Sequence, residues 1–218
     1  MNSFTRGPVV LAAVLLLTAG GDGPSASSAG IVLNEILADP ASDWNVDGTV
    51  SSRDDEWVEV YNPGPDAVNL AGYRLAGPDS VWRYEFTGVL APNAVQVVYG
   101  RQSYDWETAN GFPAFGLRLG NTGGELVLFR LDAGVPTLVD CYAYADHEAE
   151  DDRSSGRGPD GGPTWLLFDA LNPWTGSALP AGSGCLPSPG LRMSCPTPAV
   201  AVTWGRIKAV MGTGGDRR

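Results

Sequence analysis

Residues 43–54 read Asp-Trp-Asn-Val-Asp-Gly-Thr-Val-Ser-Ser-Arg-Asp. Side-chain oxygens stand at alternate positions, on Asp43, Asn45 and Asp47. Gly48 follows directly, then apolar Val50, and the acid Asp54 ends the run. A hard divalent cation asks for this spacing. Calcium takes six to eight oxygens. Alternate side chains converge on one centre, glycine permits the sharp turn, a backbone carbonyl serves next, and an acid closes the shell. The expected ligands are Asp43, Asn45, Asp47, the carbonyl of Thr49, and Asp54, with Ca2+ as the cofactor. The alternative is a polar turn held by its own Asx hydrogen bonds.

Other reactive residue types are sparse. His147 is the single histidine. Any Ser-His-Asp or Cys-His system would have to use it, and no nucleophile-elbow sequence is present. Its setting, Asp146-His147-Glu148, reads as a solvated loop. Asp151 and Asp152 extend that acidic run, and such runs are solvated faces far more often than glycosidase-like pairs. No glycine-rich loop opens a helix to cradle phosphate. Of the three cysteines, Cys185 and Cys195 are near neighbours and the expected disulfide in an oxidising compartment. Cys141 lies in an apolar strand pattern and is expected to be reduced and buried. The pattern favours no enzyme.

The elements that must position the loop are strands. Ile31 to Leu37 reads as a first strand. Glu56 to Tyr61 alternates polar and apolar residues, the period of a half-buried strand. Val68 with Leu70, Tyr73 to Leu75, Val81 to Phe86 and Val95 to Tyr99 follow. Trp82, Tyr84 and Phe86 are expected on one face. Leu117 with Leu119, Leu126 to Leu131, and Thr137 to Tyr144 complete the set, with Trp165 to Phe168 as a closing strand. Turn clusters such as Asn62-Pro63-Gly64-Pro65-Asp66 separate them, in keeping with Gly 29 and Pro 17. No segment has a convincing helical period. The expected fold is all-β, an antiparallel sandwich rather than a parallel α/β sheet. Asn34, Glu35, Glu56 and Glu59 put carboxylates and an amide beside aromatic strand residues, where they are expected to satisfy turn backbone and the sheet edge.

Several of these segments fall in a familiar order. Ile31-Val32-Leu33-Asn34-Glu35-Ile36 comes first, then Glu56-Trp57-Val58-Glu59-Val60-Tyr61-Asn62-Pro63-Gly64. Val68-Asn69-Leu70-Ala71-Gly72-Tyr73-Arg74-Leu75 follows, then Phe115-Gly116-Leu117 through Asn121-Thr122-Gly123-Gly124-Glu125-Leu126-Val127-Leu128. Ser155-Gly156-Arg157-Gly158-Pro159-Asp160-Gly161 closes the set. Together they resemble the lamin-tail domain in its bacterial form, over residues 30–170. The resemblance implies an immunoglobulin-like sandwich used as a binding or surface module, with no catalytic residues to carry over. The 43–54 loop resembles an EF-hand loop inserted between strands, with Asp at its last position as in dockerin-type loops.

The ends of the chain set the compartment. Arg6, the apolar run Val9 to Leu17 and the small residues Ser25 to Ala29 have the order of a secretory signal peptide. Cleavage is expected after Ala29, so residues 1–29 would be removed. No further stretch is long and apolar enough for a membrane span in the mature chain. Residues 171–218 read as a Pro/Gly-rich flexible tail, with a short segment around Val202, Trp204, Arg206, Ile207, Lys208, Val210 and Met211. The net charge of −11 excludes phosphate-rich partners and anionic lipid surfaces. The expectation is a secreted or cell-surface module for an extracellular protein or glycan. The alternatives are an envelope component held by its C-terminal segment, or a small calcium-dependent hydrolase.

Overall fold

The computed structural model describes residues 30–193 and Cys195. The expected signal peptide and the segment 196–218 lie outside these residues. Among the described residues no helix is long and apolar enough to cross a membrane.

Two antiparallel sheets face each other. The first contains β1 (Val32–Leu37), β2 (Trp57–Tyr61), β7 (Val95–Tyr99), β10 (Ser154–Arg157) and β11 (Trp165–Phe168), in the order β11-β10-β1-β2-β7. The second contains β4 (Tyr73–Ala76), β5 (Trp82–Glu85), β8 (Gly123–Asp132) and β9 (Val135–Ala145), in the order β5-β4-β8-β9. A small ladder of β3 (Val68–Asn69) and β6 (Val89–Leu90) closes one end. This is the immunoglobulin-like β-sandwich that the strand pattern and the resemblance led us to expect. Its core gathers Ile31, Leu33, Ile36, Val58, Val60 and Val98 from the first sheet and Leu75, Leu126 and Leu128 from the second, with Phe86 between them. The β8–β9 hairpin turns at Ala133 and Gly134, with φ of 50° and 83°. Positive φ at both central residues matches the turn to the twist of the strands.

Three bulges decide which side chains face inward. In β1, Leu33 pairs with Val60 but Glu35 pairs with Glu59, so Asn34 is the extra residue. Leu33 and Ile36 therefore both reach the core, and Glu35 is turned to the outer face. In β5, Leu75 pairs with Tyr84 and Ala76 with Trp82, leaving Arg83 as the extra residue. Trp82, Tyr84 and Phe86 thus do not share one face. Trp82 packs edge-on against Phe129, while Tyr84 packs edge-on against Phe86. In β9 the extra residue is Val139. Each bulge bends its strand and re-aims the side chains beyond it.

Other expectations need correction. A helix does interrupt the strands: α1 spans Gly100–Asn110. Its buried residues are Gly100, Ser103 and Glu107, which have helical spacing but are not apolar, so hydrophobic periodicity is silent. Gly100 lets α1 approach residues 53–54, since a Cβ there would lie 1.7 Å from the Arg53 carbonyl oxygen. Leu117 and Leu119 are buried in the core but belong to irregular chain, not to a strand. Cys141 is free and exposed. It pairs with Val127 across β8 and β9, on the face away from the core residues Leu126 and Leu128.

The sheets are clasped at one side by Arg157. It donates to both oxygens of Asp140, to the Leu33 carbonyl and to the Gly162 carbonyl. The Leu33 amide also donates to Asp140, at 3.0 Å. Beside this clasp Tyr142 stacks on Trp165, with ring centroids 3.6 Å apart.

Candidate functional site: the 41–55 loop and the strap beside it

The loop leaves β1 at Ala38 and returns at Trp57. Its first residues are held by Asp152, whose carboxylate accepts the amides of Ala41 and Ser42, the Ser42 hydroxyl, and Nε1 of Trp44 at 2.7 Å. Burial pushes the Asp152 carboxyl up, but these hydrogen bonds outweigh it and leave its pKa below the usual aspartate range. Trp44 then packs on the fully buried Trp57, with ring centroids 6.0 Å apart. At the far end stands Asp55, fully buried, whose two oxygens accept the amides of Asn45 at 2.9 Å and Ser51 at 2.8 Å.

Between these anchors the chain winds round its own oxygens. Oδ1 of Asp43 and Oδ1 of Asn45 both accept the Asp47 amide, at 3.1 and 2.9 Å. Oδ2 of Asp43 accepts the Gly48 amide, and Oδ1 of Asp47 accepts the Thr49 amide. Gly48 has φ of 91°, and Val46 is left-handed at 58°. Positive φ at a β-branched residue is rare, so the neighbouring hydrogen bonds must be enforcing the turn. Asp43 and Asn45 thereby meet at the Asp47 amide, while the Asp47 carboxylate turns to the amide of Thr49.

Asp54 is not brought to them. Its carboxylate takes both Nε and Nη2 of Arg53, and this pairing holds its pKa below the usual range. Its carbonyl instead receives Nδ2 of Asn45 at 3.3 Å. Among the described residues, no three acidic, histidine or cysteine side chains surround a single point. To serve as the expected fifth ligand, Asp54 would first have to leave Arg53.

A second constellation lies on the outer face of the five-stranded sheet. The β1 bulge sets Glu35 opposite Glu59, both buried. Residues 186–193 run across them as a strap. Glu35 accepts the Ser188 amide at 3.0 Å, the Ser188 hydroxyl, and the Ser154 hydroxyl. Glu59 accepts the Gly190 amide and Nδ2 of Asn34, both at 2.8 Å. Asp160 takes the Met193 amide. Loss of solvent pushes Glu35 up to about 8 and Glu59 up to about 7, and the Glu59 charge adds to the rise on Glu35 while the bonds from Ser154 and Ser188 oppose it. Neither lies at a sheet edge, since β1 and β2 are interior strands. Glu56, on the loop side, accepts the Leu119 amide and is also raised by burial.

Within the segment expected as a tail, residues 171–193 are tied to the sandwich by hydrogen bonds, although most of them stay exposed. Asp169 caps the amides of Trp174, Ser183 and Gly184, and Ser183 bonds to the carbonyl of Leu167. Cys185 is fully buried and is bonded to Cys195. His147 is not solvated either. It is 8% exposed and its ring packs 4.8 Å from Trp174.

Asp55 and Asp152 were missed as loop residues. Asp55 stands one place beyond the motif, and Asp152 lies about a hundred residues downstream, so spacing could not point to it. The buried strap contacts have no local sequence signal at all.

A family model described as Lamin Tail Domain matches residues 24–146. No curated protein and no solved structure matches the chain. The matched region ends before β10, although β10 pairs directly with β1 and completes the sheet.

Proposed function

The chain belongs to the lamin tail domain family, and from that premise we propose that it works as a secreted or cell-surface interaction module without catalysis, in which calcium orders the 43–54 loop. The calcium reading rests on the spacing of Asp43, Asn45, Asp47, Gly48 and Asp54 and on the turn at Gly48, with φ of 91°. The amides these oxygens accept belong equally to a polar Asx turn, and the titration below separates the two. Residues 1–29 support export through their signal-peptide order. The Cys185–Cys195 bond fits an oxidising compartment. Partners are extracellular proteins or glycans, in keeping with a net charge of −11.

Calcium titration with thermal melting tests the loop. Binding to the native state alone contributes about 2.7 kcal/mol at a hundredfold excess over Kd. For a domain of this size that corresponds to roughly 5–10 °C in Tm. Extracellular sites can be as weak as about 10⁻³ M, so millimolar ion is required. Asp47→Ala should abolish the shift, and Asp151→Ala should leave it intact. Identical melting with several millimolar calcium and with chelator would reduce the loop to a polar turn. N-terminal sequencing of exported protein tests the compartment: a start near Gly30 supports it, and retained Met1 overturns it.

A further inference from the structure

Each main sheet ends in two edge strands, β7 and β11 in the first, β5 and β9 in the second. An open edge presents unpaired N–H and C=O groups to any strand that can reach it. Three of these edges are guarded. α1 packs on β5, and its Ser103 hydroxyl donates to the Arg83 carbonyl at 2.8 Å. Residues 181–183 run beside β11, where the Leu167 amide donates to the Ala181 carbonyl and the Leu167 carbonyl accepts the Ser183 amide, both at 3.0 Å. In β9, Pro136 has no N–H to give, the bulge at Val139 breaks the register, and the Asp140 carboxylate takes the amides of Leu33 and Cys141. β7 has none of these guards. It pairs with β2 in unbroken register, and Val95-Gln96-Val97-Val98-Tyr99 holds no proline, no bulge and no charge.

The register shows which groups are left over. The Asn62 amide donates to the Ala94 carbonyl at 3.0 Å, and the Gly100 amide donates to the Glu56 carbonyl at 2.7 Å. Bonded pairs alternate along an antiparallel ladder, so Gln96 and Val98 turn their backbone groups to β2, and Val95, Val97 and Tyr99 turn theirs away. Tyr99 is satisfied: its amide donates to Oε1 of Gln102, and as N-cap of α1 its carbonyl receives the first helical bond. The backbone groups of Val95 and Val97 have no hydrogen-bond partner among the described residues, and both residues are partly exposed. A second copy of β7 matches them when it runs antiparallel with Gln96 opposite Gln96. Val95 of each copy then stands opposite Val97 of the other, and each copy's two donors meet the other's two acceptors. The Gln96 amide both donates and accepts, so it complements itself on the axis. Elsewhere the net charge of −11 pushes copies apart, whereas this strand is uncharged.

We infer that two copies of this chain associate through β7, antiparallel and about a twofold axis, so that their five-stranded sheets become one continuous sheet. The inference goes beyond the interaction-module reading and rests on neither export nor calcium. The test is sedimentation velocity of the disulfide-intact protein over a concentration series, run in chelator so that the outcome does not depend on the loop. Amide hydrogen exchange is measured on the most dilute and the most concentrated samples. The expected result is a monomer–dimer equilibrium. The Val95 and Val97 amides should exchange several-fold more slowly in the concentrated sample, while the Gln96 and Val98 amides are equally protected in both. Val97→Pro removes an outward N–H without touching the bonds to β2, and Gln96→Lys sets like charges face to face on the axis. Each should weaken association several-fold, whereas Thr137→Lys, which adds the same charge on exposed β9, should not. Gln96→Lys carries the test alone if the proline variant does not fold. Monomer at every concentration, species that grow past the dimer, a dimer in which Val95 and Val97 exchange as in the monomer, or a dimer that Gln96→Lys leaves unchanged would each overturn the assignment.

Discussion

Glu35 should make the protein lose stability as the solution becomes alkaline. Its carboxyl is fully enclosed by β2, β10 and the strap, and burial raises it from 4.5 to about 8. The folded state therefore keeps a proton that the unfolded chain releases. Its contribution is fully present below about 4.5 and is lost as pH rises through about 8. A shift of one unit is about 1.4 kcal/mol, so Glu35 alone accounts for on the order of 4–5 kcal/mol across that window. Glu59, raised to about 7, moves in the same direction, and so does Glu56. All three carboxyls therefore move stability the same way, downward between pH 5 and pH 9. Glu35→Gln isolates one contributor. An amide can still accept the Ser154 hydroxyl and the Ser188 amide, and can donate to the Ser188 hydroxyl, without ever ionising. Urea unfolding of wild type and variant at pH 5, 7 and 9 is the assay. The curves should lie within about 1 kcal/mol at pH 5, with the variant several kcal/mol more stable at pH 9. Parallel pH profiles would show that Glu35 does not titrate between the two states, and the reasoning from its burial would fail.

Three further perturbations follow from the same contacts. Asp55→Ala leaves the amides of Asn45 and Ser51 without their buried acceptor, so it should cost about 2–4 kcal/mol in urea unfolding and blunt any calcium response of the loop. Replacing Cys185 and Cys195 together by serine should cost about 3 kcal/mol, because the bond closes a short loop with a sequence separation of 10. Hydrogen exchange at the Ser188 and Gly190 amides should then accelerate, whereas amides of β1 and β2 should not. Gly100→Ala forces a methyl group against the Arg53 carbonyl and should destabilise by about 1–3 kcal/mol, read as a lower Tm.

Much of the sandwich was legible because its strands obey one rule. Glu56 to Tyr61 alternates and turns Val58 and Val60 inward, and the apolar run Leu126 to Leu131 turns Leu126 and Leu128 inward. The rule failed where an extra residue enters a strand. Asn34, Arg83 and Val139 each shift the alternation, and nothing in their local sequence distinguishes a bulge from a regular strand. It failed again at α1, which packs through Ser103 and Glu107. Ser103 donates to the Arg83 carbonyl, and Glu107 binds Arg83 and the amides of Phe115 and Gly116. A helix seated by hydrogen bonds leaves no apolar stripe to read. Cys141 was placed on the wrong face for a related reason: its small apolar side chain suits a core, but core residues Leu126 and Leu128 fix the face of β8, and Cys141 pairs with Val127 between them.

The loop and the strap load the same two strands from different positions. Asp152 and Asp55 hold the loop between β1 and β2 at the Leu37–Trp57 end, where Trp44 covers Trp57. The strap covers Glu35 and Glu59 two residues further along the same ladder. An outer sheet face carrying Trp57, Glu59 and Tyr61 would otherwise be an exposed mixture of aromatic rings and costly carboxylates. Covering it removes the rings from water, and the strap's backbone amides supply the hydrogen bonds that the carboxylates lose with their solvent. A cation bound at Asp43, Asn45 and Asp47 would tighten only the first of these covers. Protonation of Glu35 strengthens only the second. Stability against calcium and stability against pH should therefore be additive, and measuring the calcium increment at pH 6 and again at pH 8 checks it: equal increments fit two separate covers on one sheet, and an increment that grows or shrinks by more than about 0.5 kcal/mol would mean the two are coupled through β1 and β2.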